Sequence, residues 1–350
     1  MRKIFGMSIA IIMAISLAAC GGGASSNNSI STEKAESASK SASTEASSSS
    51  KENSNTEEKN SSDITIAYSA GDLNLAFDNL LYQAAETRCK EIGVKFVGQD
   101  AQADNMLQLD QINALISQGV DGIVVNSVTT DTASAISKAC ADAGVPLVYC
   151  NMFPWGDAIE ENIPEGSYYV GSVEEDAGIL QAEHALKELG DEEFNYMILE
   201  GVLGSSGALG RTNGNHSILD NAPNANQLDE QTGDWLRDEA YDMTQNWLTA
   251  HGDKIDVIFA NNDEMALGAA KACKEVNRDD ILIYGVDATS DGLNAVKDGS
   301  LTATVLQDAV KQAGTSVDVV YQLITTGEAE TVTWIPFVLI TPDDVDEYLK

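Results

Sequence analysis

The chain has 350 residues, 43% hydrophobic and 21% charged, and its 20 Lys and Arg stand against 55 Asp and Glu for a formal net charge of −35 at pH 7. Residues 1–62 balance at six basic and six acidic, so the whole excess lies on residues 63–350, with 14 basic against 49 acidic. Such a body repels phosphate backbones and anionic headgroups, which argues against nucleic acid as a partner and leaves a small neutral ligand or a cation, although solubility alone accounts for most of the carboxylates.

The chain opens with Arg2 and Lys3 and an apolar run over 9–19, broken only by Ser16 and closing on Leu17, Ala18, Ala19 and Cys20. A basic start, a short apolar run and small residues before a cysteine predict an export signal, and roughly 11 residues are too few to span a bilayer. The segment resembles bacterial lipoprotein signals, which implies that Cys20 is lipidated, becomes the mature N-terminus and holds the protein at a membrane surface. Residues 21–62 hold 15 serines in 42 positions, with Ile30 as the single large apolar side chain. Nothing there offsets the entropy of ordering, so a disordered stalk with a reach of roughly 35 Å is expected. The expected layout is a signal peptide over 1–19 and a lipid-anchored Ser-rich stalk over 20–62.

Beyond the stalk, short apolar runs alternate with amphipathic segments. Strands are predicted at 64–68, 94–98, 122–126, 145–150, 168–172, 196–200, 257–260, 281–286 and 303–306, with helices such as 77–91, 105–118, 176–189, 237–250 and 264–276 between them. This is the pattern of an α/β fold with doubly wound parallel sheets, and about 288 residues suggest two of them. Ligands of such sheets bind beyond the carboxyl ends of the strands. Polar and aromatic residues recur there: Asn74 and Phe77, Asn126, Asn151 and Trp155, Asn262 and Asp263, and Asp287. Any one of them also reads as an ordinary turn or N-cap residue. Cys89, Cys140, Cys150 and Cys273 form no CxxC pair or Cys/His cluster, so a zinc site is not expected. Buried thiols are expected, and a disulfide stays open.

Four blocks carry a resemblance: Tyr-Val-Gly-Ser at 169–172, Val-Ile-Phe-Ala-Asn-Asn-Asp-Glu-Met-Ala-Leu-Gly-Ala at 257–269, Tyr-Gly-Val-Asp-Ala at 284–288 and Thr-Ala-Thr-Val-Leu-Gln-Asp at 302–308. In order and nearly to the C-terminus, the body resembles the periplasmic sugar-binding proteins of ABC transporters, most closely the galactose/glucose-binding branch. Repressors that share the fold are set aside, because an export signal and stalk stand where a DNA-binding segment would be.

The resemblance implies the type I periplasmic binding protein fold: two lobes joined by a three-segment hinge, with crossings near Asn151, near residues 288–306 and near Pro336. Lobe 1 would comprise 63–151 plus 307–336, and lobe 2 152–306 plus 337–350. It implies a monomer that captures a hexose-like sugar, galactose or glucose among the options, and delivers it to an ABC permease, with no cofactor. Phe77 and Trp235 match the aromatics that sandwich the sugar ring, and Asn126, Arg211, Asn262, Asp287 and Gln307 match polar positions around it, with Asn151 a further ligand-binding candidate from its place at a strand end. The pattern also departs. Leu75 replaces a carboxylate, with Asn74 and Asp72 as nearby substitutes, and Ser205 and Gly207 stand where the family has His and Asp. The calcium loop is reduced to residues 190–195, so no metal is expected. The resemblance leaves a sensor that presents sugar to a chemotaxis or kinase receptor as an alternative. A carbohydrate-active enzyme is the rival class, and nothing assembles one: His184, His216 and His251 lie on predicted helices, and residues 204–207 lack the spacing of a nucleophile elbow.

Overall fold

A computed structural model describes residues 60–155 and 163–349. Cys20, the signal over 1–19 and the stalk up to residue 59 lie outside the described residues. Ser61–Asp63 forms one 3-10 turn leading into the first strand, so the last two residues of the expected stalk belong to the folded body.

The first sheet is built from β1 (Thr65–Ala70), β2 (Lys95–Asp100), β3 (Gly122–Val125), β4 (Leu147–Cys150), β5 (Ser167–Gly171) and β11 (Val332–Trp334), ordered β11-β5-β4-β3-β1-β2. All of its pairs are parallel. Its central strands are nearly continuous apolar runs because helices cover both faces. One face packs against α1 (Ala76–Ile92) and α9 (Ala309–Thr326), and the other against α2 (Asn105–Gln118) and α3 (Ala133–Ala143). The second sheet holds β6 (Phe194–Glu200), β7 (Ala225–Thr232), β8 (Val257–Ala260), β9 (Leu282–Val286), β10 (Ala303–Leu306) and β12 (Val338–Ile340), ordered β12-β10-β9-β8-β6-β7. Only β12 runs antiparallel, against β10. Its helices are α4 (Glu174–Leu189), α5 (Ser206–Leu219), α6 (Arg237–His251), α7 (Asp263–Glu275) and α8 (Ser290–Asp298).

The chain passes between the sheets at residues 172–173, 307–308 and 335–337. The first crossing departs from the expected one at Asn151. β5 pairs with β4 from Leu147↔Ser167 to Cys150↔Val170, and its Tyr169 and Val170 are buried in the first sheet's core, so residues 167–171 belong to lobe 1. The second crossing follows β10, rather than lying within 288–306, because β9 and β10 pair inside the second sheet. One chain of hydrogen bonds, part-buried at Asn151 and buried beyond it, joins two crossings to the end of β4: Asn151 Nδ2 donates to Gln312 Oε1 (3.1 Å), Gln312 Nε2 to Ser172 Oγ (2.9 Å), and Ser172 Oγ to the Ile335 carbonyl (2.7 Å).

The four described cysteines are buried and unpaired, and burial pushes each thiol up to about 12. They are packing residues.

Helices α4 and α5 touch through backbone. A Cβ on Gly214 would lie 2.1 Å from the Glu175 carbonyl oxygen, and one on Gly178 would lie 1.9 Å from that of Arg211. This close approach sets Glu174 beside Arg211. Gly214→Ala should therefore destabilise the protein by about 1–3 kcal/mol, as overpacking does, and a denaturation midpoint equal to wild type would contradict it.

At the sheet's far edge, His216 of α5 binds Glu230 of β7 through Nε2 (2.7 Å) and Asp220 through Nδ1 (3.2 Å). Burial alone would lower the imidazole pKa, but the hydrogen bonds to Glu230 and Asp220 outweigh it and hold the cation above its ordinary range. The raised folded value means that this stabilisation is full below the unfolded pKa of about 6.5 and fades as pH rises through the folded value. The melting temperature should fall over that rise, and His216→Gln should flatten the slope.

Candidate functional site

The cleft of ≈ 370 Å³ lies between the two sheets and is lined from both. Lobe 1 supplies Asp72, Leu75, Phe77 and Asp78 from the β1–α1 loop and the start of α1, Asn126 and Ser127 after β3, and Asn151 after β4. Lobe 2 supplies Glu174, Ser205, Arg211, Asp234, Trp235, Asn262, Glu264 and Asp287, and the crossing segment supplies Gln307. Nine of the ten residues expected from the sequence thus meet in one space; the exception is Asn74. That residue is exposed, and both its backbone N–H (3.0 Å) and its Nδ2 (2.8 Å) donate to Asp72 Oδ1, which ties it into the turn before α1 and leaves Asp72 to line the cleft. Trp155 also turns away, packing edge-on against Tyr149 and Phe153 in the core of the first sheet.

Trp235 is held from several sides. Its indole lies against Gly201, where a Cβ would come within 2.1 Å of the ring, so only glycine admits it. Asn262 Nδ2 donates to the Trp235 carbonyl (3.3 Å), while Asn262 Oδ1 accepts from Met265 N (3.0 Å) and caps α7. Asn262 therefore does the ordinary work of an N-cap and also supports the aromatic. Ser205 caps α5 in the same way, its Oγ accepting from Ala208 N.

The Arg211 guanidinium is 5.5 Å from the Trp235 ring centroid. Its Nε donates to Glu174 Oε2 (2.9 Å), Nη1 to the Asn261 carbonyl (2.6 Å) and Nη2 to Gln307 Oε1 (2.9 Å), and Gln307 Nε2 reaches Glu174 Oε1 (3.3 Å). Three of its five N–H groups are thus committed to protein, two of them on residues beside the crossings. Asp287 Oδ1 lies 3.8 Å from Arg211 Nη1, an ion pair beyond hydrogen-bond length. Burial, opposed by Arg211 and reinforced by Asp263, Glu174 and Glu264, raises the Asp287 pKa well above the ordinary carboxylate range. Burial likewise pushes Asp78 up to about 6, against hydrogen bonds from the Asp72 N–H and Asn126.

Asp263 fixes the loop that carries Asp287. Its Oδ2 accepts from the Thr289 N–H (2.7 Å) and hydroxyl (2.9 Å), and its Oδ1 accepts from the Thr304 hydroxyl (2.6 Å). Strain gathers at the same place: of the eight described non-glycine residues with positive φ, Ala103, Asn151, Asp234, Trp235 and Asp287 line the cleft. Backbone held in such regions persists where surrounding structure over-determines it, as at binding sites.

Sequence reasoning missed Asp78, Glu174, Glu264 and Ser127. An acid in a helix's first turn reads as a partner for the helix dipole, which hides Asp78, Glu174 and Glu264. Their place just beyond the carboxyl ends of β1, β5 and β8 was the available signal.

A family model for the periplasmic binding protein domain matches residues 66–329. The chain belongs to the periplasmic binding protein family. The "Putative rhizopine-binding protein" of Rhizobium meliloti is 37% identical over 289 residues, covering 81% of this chain and 92% of that one. The D-galactose/methyl-galactoside binding periplasmic protein of Haemophilus influenzae is 30% identical, covering 78% of this chain and 88% of the relative. Among solved structures, an ABC transporter solute binding protein from Bacillus halodurans with bound myo-inositol superposes with a TM-score of 0.76 at 35% identity, over 83% of this chain and 98% of the other. The type I fold with two sheets is the family's, and the periplasmic binding protein is a binding protein, not an enzyme.

Proposed function

We propose that this periplasmic binding protein captures a small ring polyol of the inositol class between its two lobes and delivers it to an ABC importer, while anchored outside the cytoplasm by lipid on Cys20. The observation that carries the reading is the cleft itself, where Phe77 from one lobe and Trp235 from the other share a space ringed by Asn126, Asn151, Arg211, Asp287 and Gln307. Aromatic faces suit the CH patches of a polyol ring, while amide and carboxylate groups suit the hydroxyls on its rim. Ser205 and Gly207 in place of His and Asp remove a charge from one edge and open space there, which favours a ligand other than glucose or galactose. The relatives at 37% and 35% identity, named for rhizopine and holding myo-inositol, support the same direction over the galactose-binding relative at 30%.

A thermal-shift panel of cyclitols, pentoses, alditols and hexoses tests this. A ligand at about 100 times its dissociation constant stabilises by about 2.7 kcal/mol. The largest shift should come from a cyclitol, and a panel in which only glucose or galactose shifts the protein would overturn the reading. For the anchor, Cys20→Ser should release the protein from the membrane fraction, and retention there would remove lipid from the account.

A further inference from the structure

Asn151 lines the cleft at the end of β4 with φ 69°, a left-handed conformation that asparagine tolerates better than most residues. Its backbone is held from two sides: its N–H donates to the Val170 carbonyl (2.9 Å), and its own carbonyl accepts from the Tyr169 hydroxyl (2.6 Å). With the main chain fixed, what this residue offers a ligand depends on which edge of its amide is left for the cleft. The nitrogen donates and the oxygen accepts.

The hydrogen bonds behind Asn151 can run in one direction only. Their far end is the Ile335 carbonyl in the third crossing, which accepts and has no proton to give. The Ser172 hydroxyl has a single proton and donates it there at 2.7 Å, so its oxygen is left to accept from Gln312 at 2.9 Å. Gln312 must then turn Nε2 to Ser172 and Oε1 to Asn151, and Oε1 in turn requires Asn151 Nδ2, at 3.1 Å. Asn151 Oδ1 remains, and among the described residues no donor is bonded to it. Gln312 and Ser172 are 0% and 1% exposed, so bulk water does not compete for these bonds. Gln312 itself is not among the described residues that line the cleft.

We propose that Gln312 is a positioning residue for ligand specificity: it holds Asn151 with Oδ1 as the edge left for the ligand, which must therefore present a hydroxyl donor at that point. The inference rests on the ring-polyol reading for its ligand, and Gln312 acts through Asn151 without touching that ligand. A group that only accepts would set its lone pairs against Asn151 Oδ1 and leave that oxygen unpaired, and sites built to receive a hydroxyl discriminate strongly against analogues lacking one.

The experiment is titration calorimetry of the whole protein with myo-inositol and its mono-deoxyfluoro derivatives, one for each ring position, since fluorine replaces a hydroxyl in size but cannot donate. It is run on the unmodified protein, on Gln312→Glu, whose carboxyl oxygen still accepts from Asn151 Nδ2, and on Gln312→Met, which keeps the volume but not the acceptor. At one ring position fluorine should cost at least about tenfold in affinity in the unmodified protein and in Gln312→Glu. In Gln312→Met that ratio should fall towards one, because the Asn151 amide is free to turn, while the ratios at the other positions stay as they were. Hydrogen exchange of the Asn151 side-chain amide, read by NMR without ligand, is the second measurement. Its protons should exchange at least about tenfold more slowly in the unmodified protein than in its urea-unfolded chain, and the protection should persist in Gln312→Glu and disappear in Gln312→Met. The same fluorine ratios in Gln312→Met as in the unmodified protein, or an Asn151 amide without protection in the unmodified protein, would overturn the inference and leave the ring-polyol reading standing. No binding of myo-inositol or any derivative would overturn the ring-polyol reading, and the amide exchange would still decide the role of Gln312.

Discussion

Arg211→Ala should destabilise the protein by about 3–5 kcal/mol, the range expected when one member of a buried ion pair is removed and the other charge stays behind. The magnitude follows from what surrounds the guanidinium. Glu174, Gln307 and the Asn261 carbonyl each lose a donor, and Asp287 loses its nearest positive charge. The pH dependence carries the signature. Asp287 already has a raised folded pKa that Arg211 holds down, and in the variant it rises further, so the destabilisation is full above the folded value and shrinks as pH falls through it toward the unfolded value near 4. Chemical denaturation at pH 7.5 and pH 4.5 measures both quantities. An equal loss at the two values would mean that the guanidinium contributes packing rather than charge.

Trp235→Ala should weaken ligand binding by about 2–4 kcal/mol, the cost typical of a central aromatic anchor. That corresponds to roughly 30- to 900-fold in dissociation constant. The fold should survive, because the indole is half-buried, faces the cleft and lies over Gly201 rather than inside a sheet core. Calorimetric titration of the variant, with its melting curve as a control for folding, reads the effect directly. A folded variant with unchanged affinity would take Trp235 out of the site.

Much of this fold could be read from residues. The strands predicted at 257–260 and 303–306 coincide with β8 and β10, and the helix predicted at 105–118 coincides with α2. These segments are strongly patterned: the Val257–Ala260 strand is buried along its whole length, and α2 opens on Asp104, whose side chain caps Met106 N and Leu107 N. β7 escaped because Ala-Asn-Gln-Leu-Asp-Glu-Gln-Thr has no apolar run; as an edge strand it needs little burial and is held by its pairing with β6. β11 and β12 have three residues each, too few to establish a period.

The site was legible for a similar reason. Strand ends in a parallel sheet converge, so polar residues that recur after β3, β4, β8 and β9 meet even though 161 positions separate Asn126 from Asp287. What could not be read was which polar atoms remain free. Asn262 and Ser205 turn their oxygens to helix N-termini, and Arg211 gives three donors to neighbours, whereas the Asp287 carboxylate, among the described residues, accepts no hydrogen bond and meets Arg211 only as an ion pair at 3.8 Å. Those choices depend on distances of a few tenths of an ångström between elements far apart in sequence. The misplaced first crossing has the same origin, since only the pairing of β5 with β4 assigns residues 167–171 to the first sheet.

The central claim is that the space between the sheets holds a ring polyol and discriminates it from glucose and galactose. Titration calorimetry of the protein against myo-inositol, glucose and galactose under one set of conditions tests it most directly. The account predicts one site per chain, with myo-inositol dissociating at about 10⁻⁶ M or below and each hexose at least about tenfold weaker. Binding of glucose or galactose at that strength, with no heat from myo-inositol, would contradict it.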